Sequence, residues 1–223
     1  MELGIMREMD RRILEEQIAF YRARAPEYDQ SWATLQELET VKQSLRTMGP
    51  FADVIELACG RGLWTRELVG IGASVTAIDA SPEMIDLNRK SVASDRVTYQ
   101  ERDLFHWEPD RQYDLLFAGF WLSHVPPDFM DDFLHKIRCA VRLGGIVFIV
   151  DQCNDIRDDP QGDTEGIFQI RRVGDGRLFR IVKVYYHPAL LATRLSQFGF
   201  DARGWRVGES FFSVLGKKRF AAS

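Results

Sequence analysis

Cysteine is scarce in this 223-residue chain, and its three copies, Cys59, Cys139 and Cys153, form an odd set with no Cys-x-x-Cys spacing. That pattern excludes a disulfide framework and a thiolate metal cage, and it fits a reducing cytoplasm. Long apolar runs are also missing: nothing approaches the ~20 residues needed to span a bilayer, and charges throughout residues 7–16 interrupt any secretory leader's apolar core. We therefore expect a cytoplasmic protein without membrane partners. A basic stripe is absent too. The formal net charge is −4, the Lys and Arg residues are scattered, and the single basic run, Lys217-Lys218-Arg219, reads as a solvated strand end. Nucleic-acid affinity rests on clustered cations, so no nucleic-acid partner is expected. The four histidines share no spacing and no acidic pair completes a ligand set, so no metal is expected.

What is present reads as one α/β domain of three parts. Residues 1–50 form an N-terminal helical cover, with an amphipathic helix over residues 7–24 ending before Pro26 and a second helix over 32–48 stopped by Gly49-Pro50. Residues 51–151 alternate strands and helices. Strands are predicted at 54–57, 74–79, 97–101, 113–118 and 145–151, with helices at 63–69, from Pro82 with Ser81 as N-cap, and at 128–141. Apolar strands without alternation mean a parallel sheet covered on both faces, with ligands bound beyond the strands' carboxyl ends. Residues 152–223 supply the acceptor side. They open in a loop, since 151–166 hold six acids, a proline and two glycines. A β-hairpin over 166–172 and 177–186 follows, then a helix at 188–198 and strands at 201–207 and 211–217.

The most informative stretch is Val54-Ile55-Glu56-Leu57-Ala58-Cys59-Gly60-Arg61-Gly62, an apolar strand entering a glycine turn. Glycine lets the backbone approach a ligand where a Cβ would collide. A dinucleotide fingerprint would need a third small residue three positions after Gly62; Thr65 stands there instead. The next strand ends at Asp79, whose carboxylate can accept from both hydroxyls of a ribose. A nucleoside held by its sugar, without a phosphate cradle, is the reading.

With those residues in view, the chain resembles the class I S-adenosylmethionine-dependent methyltransferases of small-molecule type. Glu56 to Gly62 matches that family's first motif, Asp79-Ala80-Ser81-Pro82-Glu83-Met84 its second, and Arg102-Asp103-Leu104 its third, in order and at the right separations. The resemblance implies a Rossmann-like, doubly wound, seven-stranded, mostly parallel sheet with an antiparallel last strand. It also implies S-adenosylmethionine as cofactor. Gly60 and Gly62, with Ala58, would face its methionine part, Asp79 with Ala80 and Met84 its ribose side, and Asp103 with Leu104 its adenine. The N-terminal segment from Phe20 to Asp29 resembles the cover of such enzymes, which brings Tyr21 and Tyr28 toward the methionine end. Glu56, a carboxylate in an apolar strand, is expected to meet the cofactor's amino end or nearby amides, because burying it otherwise is costly.

Methyl transfer is an in-line displacement that chiefly needs alignment, with a base only where the acceptor must lose a proton. The segment after strand four, Gly119-Phe120-Trp121-Leu122-Ser123-His124, is where the acceptor would approach, and Gly119 is placed with the cofactor. His124 is the candidate base or, equally, a brace for the loop. Asp151 reads as the first carboxylate of a solvated loop, with a base or anchor as its second reading; His187 reads as a helix cap, His106 and His135 as surface or packing residues, and Cys59 as packing. Arg61 and Trp64 flank the glycine turn. Phe120, Trp121, Trp32 and Tyr185 would form an aromatic acceptor cavity. Phe117-Ala118-Gly119 stands where magnesium-dependent catechol-type relatives carry an aspartate, which implies a metal-free reaction.

The expected function is methylation of an oxygen or nitrogen on a small metabolite by a monomer or homodimer. A non-catalytic S-adenosylmethionine-binding module and methylation of a macromolecule are the alternatives; a nicotinamide dehydrogenase is disfavoured by Thr65. Base-methylating enzymes carry Asn or Asp-Pro-Pro-aromatic directly after strand four, and Pro126-Pro127 come too late to serve.

Overall fold

The computed structural model describes residues 2–28, 36–153 and 164–220. Two helices lead, α1 (Glu2–Arg24) and α2 (Gln36–Arg46). An alternating block follows: β1 (Phe51–Leu57), α3 (Thr65–Ile71), β2 (Gly72–Asp79), α4 (Pro82–Val92), β3 (Val97–Glu101), β4 (Tyr113–Gly119), α5 (Met130–Ala140) and β5 (Val141–Gln152). The last part holds β6 (Thr164–Glu165), β7 (Phe168–Arg172), β8 (Leu178–Val182), α6 (Pro188–Gln197), β9 (Phe200–Val207) and β10 (Phe211–Lys218).

The main sheet has seven strands in the order β3-β2-β1-β4-β5-β10-β9. β3, β2, β1, β4 and β5 run parallel, and β10 lies antiparallel between β5 and β9. Chain order reverses between β1 and β4, which opens a crevice at their carboxyl ends. Every motif residue sits at that edge.

Both faces of the sheet are covered, as the unalternating strands require. Along β4, Leu115 and Phe117 pack with Leu38, Val41 and Leu45 of α2 and Leu68 of α3. Leu116 and Ala118 face the other way, into Phe133, Leu134 and Ile137 of α5 and Leu195 of α6. All of β4 up to Ala118 is buried, and burying each of Leu115, Leu116 and Phe117 contributes about 1.5–3 kcal/mol.

The hairpin reading needs enlargement. A two-residue strand, β6, pairs with β7, so a separate three-stranded sheet forms in the order β6-β7-β8. β8 also stops at Val182 instead of running on to residue 186. Beyond it the backbone turns its donors elsewhere, Val184 N–H reaching the carbonyl of Ser123 at 2.8 Å. The predicted start of the second helix and Trp32, with most of the acidic loop, lie outside the described residues.

The N-cap of α4 follows the sequence. Ser81 is extended, its hydroxyl accepts from Met84 N–H at 3.2 Å, and Pro82 opens the helix.

Candidate active site

A cavity of about 880 Å³, counting its open mouth, lies across the carboxyl ends of β1, β2 and β4 and under α1. Its floor and one wall come from the motif segments, through Ala58, Gly60, Asp79, Ala80, Met84, Asp103 and Leu104. Gly119, Phe120, Trp121 and His124 line it from the segment after β4, and Tyr21 and Tyr28 from the N-terminal side.

The turn after β1 is strained where it meets the cavity. Ala58 has φ 55° and Gly60 φ 49°, and across the crevice Phe120 has φ 60°. Non-glycine residues in this region cost of order 1–3 kcal/mol each and concentrate at ligand sites. A Cβ built on Gly60 meets nothing within 4 Å. The space beside that glycine is open to a ligand.

Asp79 locks this turn from below. Its Oδ2 accepts from Gly60 N–H at 2.8 Å and its Oδ1 from Ser81 N–H at 2.9 Å. A carboxylate has about four lone-pair sites, so it can still accept from a ligand. Burial pushes its pKa up, while the amides of Ser81, Gly60 and Ala80 and the nearby Arg22 hold it down. Arg22 itself spans from α1 to the Ala80 carbonyl at 2.9 Å and to Glu101 at 3.2 Å. Asp103 accepts from Phe105 N–H at 3.0 Å and pairs with the exposed His106 at 2.7 Å, so it shapes its own turn while lining the cavity.

Two residues assigned to the cofactor stand behind the wall, outside the cavity lining. Glu56 is buried at 1% exposure, and its Oε2 accepts from the Thr65 hydroxyl at 2.6 Å. Thr65 in turn accepts from Asn88 Nδ2 at 2.8 Å, and Asn88 Oδ1 accepts from Tyr99 at 2.9 Å. The carboxyl satisfies itself within the protein, and burial raises its pKa to about 8. Thr65, standing where a dinucleotide fold needs a small residue, supplies that hydrogen bond.

Gly62 is the second of these residues. It has φ 94°, and a Cβ there would lie 2.6 Å from Asn88 Oδ1 and 2.9 Å from Val92 Cγ2. The glycine lets α4 pack against the turn and keeps Asn88 in its network. Gly62→Ala should cost about 1–3 kcal/mol of stability, a fall in Tm of roughly 2–12 °C in thermal unfolding; an unchanged Tm would show that Asn88 and Val92 yield freely.

Asp151 is not a solvated loop residue. It is fully buried and accepts from Ser123 N–H and from its neighbour Gln152 N–H, both at 2.8 Å. Burial raises its pKa and Lys183 opposes that rise. Lys183, from just past β8, donates to Ser123 Oγ at 3.2 Å and to Gln152 Oε1 at 2.5 Å. These contacts hold the short 3₁₀ turn Leu122–His124 in place, and with it His124.

His124 is 5% exposed and both its ring nitrogens are engaged: Nδ1 lies 2.8 Å from the Val182 carbonyl and Nε2 2.8 Å from the Tyr21 hydroxyl. Gln17 on α1 stitches the same region, donating to the His124 carbonyl at 3.3 Å and accepting from Val182 N–H at 3.0 Å. His187 is exposed at the N-cap of α6 without a side-chain cap bond. His135 is exposed on α5. Tyr185 lies under Lys183 and is not part of the cavity wall. Gln17 and Ile18 do line it; they project from a helix whose sequence carries no motif, so only docking of α1 reveals them. Cys59 also lines the cavity, its thiol pKa raised well above the ordinary value by burial. Among the described residues no cluster of three His, Cys, Asp or Glu could hold a metal, and no helix is long and apolar enough to cross a membrane.

A doubly wound sheet with an aspartate closing β2 at the cavity and no phosphate-binding glycine run fits an adenosyl-binding α/β fold. The chain belongs to the class I S-adenosylmethionine-dependent methyltransferases. The family model for a methyltransferase domain matches residues 54–145. The solved structure of a DhpI complex with SAH shares 37% identity at a TM-score of 0.81, covering 93% of this chain and 97% of that one. A DhpI complex titled with SAM and HEP shares 38% identity at a TM-score of 0.79, covering 92% and 97%. Among curated proteins, the mitochondrial ubiquinone biosynthesis O-methyltransferase of Schizosaccharomyces pombe is 29% identical over 97 residues, 40% of this chain. That match spans only 35% of the fission-yeast protein.

Proposed function

We propose that the chain transfers a methyl group from S-adenosylmethionine to an oxygen or nitrogen of a small, partly apolar metabolite, without a metal. The observation that carries this reading is the site itself: Asp79 anchored by Gly60 and Ser81 with lone pairs to spare, in a cavity whose other side is aromatic. The DhpI complexes with SAM and SAH and the named O-methyltransferases among the relatives support it.

The residues fit the cofactor. Open space beside Gly60 suits its methionine part, Asp79 its ribose, and Leu104 with Asp103 its adenine. When bound, the cofactor supplies an electrophilic methyl group on a charged sulfur. The protein's part is to orient and to exclude water. Phe120 and Trp121 form the apolar side on which an acceptor would rest, with α1 as the roof. Phe117-Ala118-Gly119 at the end of β4 offers no carboxylate for a cation.

His124 sits on the proton's path if the acceptor carries one. His124→Ala should slow transfer of a tritiated methyl group into a deproteinised cell extract by about 100-fold while S-adenosylmethionine affinity by calorimetry changes by less than about threefold. Equal turnover would leave the residue a brace. Calorimetry with S-adenosylmethionine against NAD tests the reading as a whole: NAD binding with no response to S-adenosylmethionine would end it.

A further inference from the structure

We propose that Tyr21, and not His124, is the group that takes the proton from the acceptor, with His124 behind it as the proton's store. This rests on the proposed methyl transfer and names the residue that meets the acceptor.

The geometry begins at Val182. A carbonyl oxygen only accepts, so the 2.8 Å contact from His124 Nδ1 places a proton on that nitrogen. In the neutral imidazole Nε2 is then a lone pair, and at 2.8 Å it accepts the Tyr21 O–H. The two rings meet edge to face, centroids 5.5 Å apart at 82°. His124 is therefore a base whose basic nitrogen is already covered. It is buried, whereas Tyr21 is partly exposed, and both line the cavity. The oxygen presented to an acceptor at this wall is the phenol's.

The arrangement is held from three sides. α1 carries Tyr21 and, one turn earlier, Gln17, which bonds the backbone of both His124 and Val182. Asp151 and Lys183 hold Ser123, the residue before His124. Val184 N–H donates to the Ser123 carbonyl at 2.8 Å. The carbonyl that sets the imidazole tautomer belongs to β8, an element outside the shared motifs, so this chain's inserted sheet decides which nitrogen faces Tyr21.

The step balances. The acceptor's hydroxyl or amine proton moves to the Tyr21 oxygen as the phenolic proton moves to His124 Nε2. The acceptor's lone pair forms the new bond to the methyl carbon, and the electrons of the broken carbon–sulfur bond remain on sulfur. Imidazolium and methylated acceptor result, and the imidazolium returns its proton through Tyr21 to water. The device serves acceptors that arrive protonated, which places alcohols, phenols and amines ahead of carboxylates.

Two measurements test it. In the free protein labelled with ¹⁵N-histidine, NMR should show His124 with Nδ1 protonated and Nε2 as the acceptor, and Tyr21→Phe should shift the Nε2 resonance; a proton on Nε2 overturns the proposal. With tritiated S-adenosylmethionine and a deproteinised cell extract, Tyr21→Phe should lower transfer about 100-fold at pH 7. Its remaining rate should rise about tenfold per pH unit between pH 6 and 9, because only acceptor already ionised reacts. A loss below threefold, or a loss with the wild-type pH profile, would make Tyr21 a packing residue and overturn the relay. His124→Gln should copy the pH slope of Tyr21→Phe, and a wild-type slope there likewise overturns it. Absence of wild-type transfer would defeat the methyl-transfer reading itself, an outcome separate from a wrong slope.

Discussion

Asp79→Ala should weaken S-adenosylmethionine binding by roughly 30- to 100-fold, about 2–2.7 kcal/mol. A hydrogen bond to a charged group contributes about 1.5–3 kcal/mol, and a carboxylate gripping two ribose hydroxyls makes two that are not fully additive. The same carboxylate accepts from Gly60 and Ser81 N–H, so the variant also frees the turn that faces the cofactor. Asp79→Asn separates the effects: its amide oxygen still accepts from one backbone amide, but it has one acceptor oxygen and no charge. Asn should fall between wild type and Ala in calorimetry. Unchanged affinity in both variants would remove Asp79 from the ribose.

Glu56→Gln should make the protein more stable, by an amount that grows with pH. The folded-state pKa is raised to about 8 from 4.5, chiefly by burial. Between those values the unfolded chain has released its proton while the folded chain keeps it. Wild-type stability therefore falls as pH rises from about 4.5 to about 8 and levels off above, whereas glutamine carries no such dependence. Glutamine retains an oxygen for the Thr65 hydroxyl. We expect a gain of about 4 kcal/mol at pH 8, or roughly 8–16 °C in Tm, with little difference near pH 4.5. Parallel Tm curves for the two proteins from pH 5 to pH 8 would show that Glu56 folds already ionised.

Set beside these two, the Gly62→Ala result reads the same buried network through packing and the His124 and Tyr21 variants read the proton path. Glu56, Thr65, Asn88 and Tyr99 couple the first strand to α4 and β3, so a change at Gly62 and one at Glu56 should interact when combined.

The amino-acid sequence alone determined the order of strands and helices from β1 to β5, the sheet covered on both faces, and the residues that gather at its edge. Those follow from local rules: apolar runs of strand length, Ser81-Pro82 at a helix start, glycines at a turn, and an acid closing a strand. Asp79, Gly60, Asp103 and Leu104 were legible for that reason. Tertiary structure decided what lies behind a wall and what lies in it. Glu56 and Gly62 belong to a contiguous motif, yet alternate side chains leave a strand or turn in different directions, and which direction meets the cavity depends on where α4 packs. It also decided that α1 brings Tyr21 to His124, 103 positions away, and that a carbonyl of β8 sets the imidazole's tautomer. Contacts between elements so distant in the chain arise only when the elements dock, and no local pattern records them.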